Sequence, residues 1–220
     1  MLRAWIFLSV LIFLPHGIEA RENVCSPITE PVHFPLPWRL RHDQQLEKLP
    51  TTTDILLIGD SYAALWQSDV WGPLRTFNAG VGGASIEQVL WRVRDPKWRA
   101  LTPKNVVLFI GSNNHARGDC AFAIIDGVST ILSRMISLWP NARFFVVGIP
   151  PPGPRDSLRP SERAIVNKLV EWRASQQGVR YVGSDNLLEY LSADEVHLGI
   201  GAYQALTSAI RPLLAAGGAP

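Results

Sequence analysis

The chain has 220 residues, 21 Lys+Arg against 19 Asp+Glu for a formal net charge of +2, and 47% hydrophobic against 18% charged residues. This length suits one ordinary domain with a sizeable core, and intrinsic disorder, collagen and repeat architectures are excluded. The basic residues are scattered singly, without the stripe that marks a nucleic-acid binder, so no nucleic-acid partner is expected.

Residues 1–20 read as a secretory signal peptide: a cationic start at Met1 to Arg3, an apolar stretch from Ala4 to Leu14, Pro15 as its stop, and Ala20 as a small residue at the cleavage point. The apolar stretch is too short to span a bilayer of about 30 Å as a helix, so no stable membrane span is expected after cleavage. An uncleaved anchor is the alternative reading. Export implies a secreted or periplasmic protein, and there Cys25 and Cys120 could pair, although Cys120 could equally be a small buried hydrophobe.

Residues 21–53 form an N-terminal extension in which Ser26 to Trp38, with Pro27, Pro31, Pro35 and Pro37, reads as an extended wrap, followed by a short polar helix at about Leu40 to Leu49. The domain proper, 54–220, then alternates two kinds of segment. Strand candidates are Ile55 to Ile58, Thr76-Phe77, Val106 to Ile110, Phe144 to Val147 and Val179 to Val182. Helix patterns fall at about Ser61 to Trp66, Ile86 to Val93, Ala121 to Leu138, Glu162 to Gln176 and Tyr203 to Leu214. Ser85 with Gln88 makes a capping box for the second of these, and Pro150 to Pro154 reads as a rigid loop after the fourth strand. Continuous apolarity in the strands means that both faces are covered. The fold class is therefore α/β, a three-layer α/β/α sandwich around a central, mainly parallel five-stranded sheet.

Ligands of such sheets bind beyond the carboxyl ends of the strands, and the residues there are Gly59-Asp60-Ser61, Asn78 to Gly83, Gly111 to His115 and, after the fifth strand, Asp194 to His197. These four stretches resemble the blocks of the SGNH/GDSL hydrolase family in the family's own order: GDS with the nucleophile, a glycine, GxN, and DxxH. The similarity runs from about Ile55 to Leu214, and Asn78 to Gly83, Val89 to Val93 and Gly111 to His115 are similar to the catalytic subunits of intracellular platelet-activating factor acetylhydrolase. The resemblance implies a flavodoxin-like SGNH fold and a serine esterase. It also departs at two points: Asn114 stands where many members have Asp, and Ala84 where an Asp often follows the glycine of the second block.

The chemistry follows from residue types. Ser61 would be the nucleophile, His197 its base, and Asp194 the carboxylate that orients the imidazole and stabilises the imidazolium. The N–H groups of Ser61 and Gly83 with the Asn113 amide would form the oxyanion hole. Asn113 and Asn114 are expected to point in opposite directions, as residues leaving a strand do, so only Asn113 would donate. Each residue alone has a plainer role: Ser61 as a helix cap, His197 as an ordinary histidine, Gly83 as a turn residue and Asn113 as a cap. His115 is a rival base and Asp60 reads as structural.

Other motifs fail. Gly80 to Ser85 imitates a dinucleotide-binding loop but ends in Ser and follows the second strand rather than the first, and Ala63 stands where an α/β-hydrolase elbow needs Gly. Without CxxC, HExxH or clustered His, no metal and no cofactor is expected. Trp66 and Trp71 could stack on sugar rings, or be core. The expected activity is hydrolysis of a small-molecule or glycan ester with a short, acetyl-like acyl group. A lysophospholipase or thioesterase of longer acyl range, and a catalytically silent domain binding carbohydrate or a partner, are the alternatives.

Overall fold

The computed structural model describes Cys25, Ile28 and residues 36–153 and 159–215; the signal-peptide reading, most of the proline-rich wrap and Pro154 lie outside them. Five strands form a single sheet: β1 (Thr52–Gly59), β2 (Thr76–Gly80), β3 (Thr102–Phe109), β4 (Arg143–Val147) and β5 (Arg180–Val182). Their order is β2-β1-β3-β4-β5 and every pairing is parallel. The connections are α1 (Leu36–Glu47) before β1, α2 (Ser61–Ala64), α3 (Ile86–Arg92), α4 (Ser112–Arg117), α5 (Ala121–Leu138), α6 (Pro160–Gln176) and α7 (Ile200–Ala215).

The apolar strands are explained by two cores, one on each face. Leu56, Ile58, Val106, Leu108, Phe144 and Val146 point into a core shared with α3, α5 and α6. Their alternating neighbours Ile55, Leu57, Val107, Phe109, Phe145 and Val147 point into a second core against α2 and α7. Period-two alternation thus feeds both layers, which a half-buried sheet with one solvated face could not do.

Several boundaries differ from the sequence reading. Trp38 is helical rather than extended, because α1 starts at Leu36 with Pro37 in its first turn, a position that needs no N–H partner. β1 starts at Thr52, since Thr52 and Thr53 already pair with Thr102 and Pro103, and β2 runs on to Gly80 opposite Gly59. α4 was not expected at all, and α7 begins at Ile200 rather than Tyr203. Trp66 and Trp71 have no exposed surface; they stack on each other at 5.4 Å between ring centroids, and Trp66 Nε1 donates to Thr207 Oγ1 at 3.0 Å. They are core residues, not a sugar platform.

Cys25, Ile28 and α1 pack against the domain. Cys25 and Cys120 form a disulfide with Cα atoms 5.9 Å apart, and Ile28, 8% exposed, lies over Gly127 of α5, where an added Cβ would meet the Ile28 Cβ at 3.3 Å. Arg92, fully buried, joins α1 to the sheet: Nη1 donates to Ala79 O and Nη2 to Gln45 Oε1, both at 2.6 Å.

Candidate active site

Three strand ends and the turn before α7 meet at one rim of the sheet. At the end of β1, Gly59 adopts φ 147°, and a Cβ there would overlap the Phe109 carbonyl, so only glycine lets β1 and β3 lie this close at the point where the chain turns. Asp60 caps α2, its Oδ1 accepting from Tyr62 N at 2.9 Å. This leaves Ser61 as the first residue of the helix, partly exposed. Asp60 itself is fully buried, and burial pushes its carboxyl up to about 8. It is a neutral acid at neutral pH, consistent with a structural role.

The second strand end supplies a loop over Ser61. Gly82 lies beside the serine, since a Cβ added there would be 3.8 Å from the Ser61 Cβ. Gly83 has φ 71°, a left-handed conformation that favours glycine. Asn78 holds the other end of α2: its Nδ2 donates to Ala63 O at 2.8 Å and Trp66 O at 2.9 Å, while its Oδ1 accepts from Gly80 N at 2.9 Å. Asn78 belongs to the site, although the sequence reading gave it no role. An asparagine at the end of a strand, where a side chain can cap a neighbouring helix, was the available signal.

The third strand end places the two asparagines differently from expectation. Both lie in the first turn of α4, separated by a helical step of about 100° rather than alternating as in a strand. Their surroundings differ nonetheless. Asn113 is partly exposed and its Nδ2 donates to Ala84 O at 2.9 Å, fixing the amide beside the Gly83 loop. Asn114 is fully buried; its Oδ1 accepts from Ile86 N, and its Nδ2 donates to Glu87 Oε2 and Asp119 Oδ2. His115, the rival base, is 1% exposed within α4.

The histidine arrives on the turn before α7. Asp194 Oδ2 lies 2.6 Å from His197 Nδ1, and Asp194 Oδ1 accepts from the backbone N–H groups of Val196 at 3.0 Å and His197 at 2.8 Å and from the Ser192 hydroxyl at 2.6 Å. Glu195, at φ 60°, makes the tight turn that lets three residues of chain carry all these bonds. The Ser192 hydroxyl, followed by His197, holds the Asp194 carboxyl well below the usual carboxylate range. It therefore stays ionised, as an orienting carboxylate must.

Tyr62 connects the serine to the histidine. Its hydroxyl donates to Val196 O at 3.1 Å, and its ring lies 5.8 Å from that of His197, so the residue after the serine is bonded to the residue before the histidine. Beside His197 a cavity of about 260 Å³ is lined by Leu65, Gln67, Asp194, Ile200 and Tyr203, among others. All five residues picked out from the sequence, Ser61, Gly83, Asn113, Asp194 and His197, stand on the turns and helix starts that meet at this rim. Among the described residues no three His, Cys, Asp or Glu side chains are grouped to hold a metal ion.

The model of the GDSL-like lipase/acylhydrolase family matches residues 57–205. The chain belongs to this family. The alpha1 subunit of platelet-activating factor acetylhydrolase IB from Rattus norvegicus is 30% identical over 177 residues, covering 73% of this chain and 75% of that protein. The human alpha2 subunit is 29% identical over 140 residues, and this chain spans 60% of its length. Among solved structures, a GDSL-like lipase from Bacteroides thetaiotaomicron superposes with a TM-score of 0.67 at 16% identity, covering 80% of this chain and 96% of that one. A carbohydrate acetylesterase from Sinorhizobium meliloti does so with a TM-score of 0.59 at 14% identity, covering 76% and 99%. At such identities the two structures speak for the shared SGNH/GDSL hydrolase fold.

Proposed function

We propose that this protein is an exported serine esterase that hydrolyses carboxylic esters with short acyl groups, acetyl foremost, through an acyl-Ser61 intermediate. The observation that carries the reading is the Asp194–His197 pair at 2.6 Å, tied through Tyr62 to the helix that Ser61 opens. With Asp194 on Nδ1, the imidazole keeps its Nε2 lone pair for the serine proton. Ser61 Oγ attacks the ester carbonyl as His197 Nε2 takes that proton, and the N–H groups of Ser61 and Gly83 with the Asn113 amide receive the oxyanion. His197 then returns the proton to the departing alcohol oxygen. A water molecule, deprotonated by the same nitrogen, hydrolyses the acyl-serine, and the proton passes back to Ser61.

The acetyl preference is supported by the relatives named acetylhydrolase and by the acetylesterase among the structural neighbours. Export is supported by the Cys25–Cys120 disulfide, a bond that persists in oxidising compartments. Mature protein should hydrolyse nitrophenyl acetate faster than the palmitate ester, and an organophosphonate should label Ser61. Full activity in Ser61→Ala, or labelling at another residue, would refute the assignment.

A further inference from the structure

The region that matches the family begins at residue 57, yet the helix preceding it reaches the rim of the site. On α1, Trp38 presents its indole to Gly83: a Cβ added to that glycine would lie 3.1 Å from Trp38 Cη2 and 3.6 Å from Cζ2. The helix is clasped to the strand end that carries this loop. Gln45 Nε2 donates to Gly80 O at 3.2 Å, and the same side chain accepts from the buried Arg92, which also binds Ala79 O. Behind it His42, 1% exposed, accepts from Arg92 Nε at 3.4 Å, faces Asp95 at 3.4 Å and packs edge-on against Trp91. α1 is therefore bonded directly to Gly80 O at the end of β2 and, through Arg92 of α3, to the preceding carbonyl of Ala79.

Resting on the esterase reading above, the direction of the acyl chain can be deduced. Of the four groups around the tetrahedral carbon, Ser61 Oγ is one and the oxyanion occupies the donors on Gly83 and Asn113. The alcohol oxygen must face His197, which protonates it, and the cavity of about 260 Å³ lies on that side. The remaining direction, for the acyl chain, is bordered by Gly82, whose lack of a side chain leaves room beside the Ser61 Cβ, and the side chain that packs on the next residue, Gly83, is Trp38.

We propose that Trp38 is a specificity-determining residue whose indole walls the acyl side of Ser61 and limits the length of the acyl chain. Nitrophenyl acetate, butyrate and hexanoate are compared in the full mature chain, in Trp38→Ala and in Trp38→Phe, alongside the rate at which a small methylphosphonate labels Ser61. The hexanoate-to-acetate ratio of kcat/KM should rise about 10-fold or more in Trp38→Ala, and less in Trp38→Phe, because a pocket discriminates by roughly that factor or more per methylene it excludes. Phosphonate labelling, which needs no acyl room, should stay within about threefold of wild type. An unchanged ratio with labelling retained overturns the proposal, as does an equal loss on all three esters, which would mean that Trp38 only supports the Gly83 backbone. Trp38→Phe keeps an aromatic ring against Gly83, so it carries the test if the alanine variant folds poorly. Wild-type protein that neither labels nor hydrolyses acetate would instead defeat the esterase reading, and this proposal with it.

Discussion

Adjacent asparagines offer a test in which two single-residue truncations should fail in different ways. Asn114 is fully buried and makes three hydrogen bonds, to Ile86 N, Glu87 and Asp119. In Asn114→Ala the two carboxylates keep Arg117, which bonds to both, but Ile86 N, at the start of α3, is left buried without its acceptor. An orphaned buried donor costs about 1 to 3 kcal/mol and the lost bonds add to it. A total of about 3 kcal/mol should lower Tm by about 6 to 12 °C in a domain of this size. Asn113 is partly exposed and makes one bond, to Ala84 O. Its truncation should leave Tm within about 2 °C and lower kcat by roughly 100- to 1,000-fold with little change in KM, because the amide acts on charge that develops only in the transition state. Thermal denaturation and steady-state kinetics on one nitrophenyl ester decide the matter. A larger rate loss in Asn114→Ala than in Asn113→Ala, or an unchanged Tm in the former, would refute the division of labour.

Other variants probe the same frame. Asp60 has a folded pKa of about 8 against an ordinary value of 3.8, so its contribution to stability is full below about pH 4 and is lost as pH rises to about 8, by about 1.4 kcal/mol per pH unit. Asp60→Asn mimics the neutral acid and should gain on wild type in urea midpoint between pH 5 and pH 8; a pH-independent difference would show that the carboxyl titrates normally. Reduction of Cys25–Cys120, which are 95 residues apart in sequence, should cost about 4 to 5 kcal/mol in the loop-entropy model. Two alkylatable thiols in unreduced, denatured protein would remove the bond altogether. His197→Ala should lower kcat by about 10⁴-fold or more, nearly as far as Ser61→Ala, with Asp194→Asn retaining somewhat more, because the three act as a unit. If His115→Ala were the more damaging histidine change, the base has been misassigned.

The sheet and the delivery of the candidate site residues to one rim could be read in the sequence because both depend on local pattern. Continuous apolar runs such as Leu56 to Ile58 need two covering layers, and in a parallel sheet the residues that follow each run are delivered to one rim whatever the loops between them do. Asp194 reaches His197 within a turn of three residues, so that pair too was local. Contacts between residues distant in sequence were decided only by the tertiary structure. The bond from Tyr62 to Val196 spans 134 residues and that from Trp66 to Thr207 spans 141, so neither the bridge between serine and histidine nor the burial of the tryptophans has a signature in its own neighbourhood. Residues 112–117 are helical because Asn114 finds Ile86 and Glu87 across the layer, while the Asn113 and Asn114 pattern alone suits a loop equally well. The prolines before Trp38 argued for extended chain, and only the clasp of Arg92 on Gln45 and Ala79 shows why a helix there is worth forming: it buries His42 and sets an indole against Gly83. Local propensity is a weak term that such long-range contacts override.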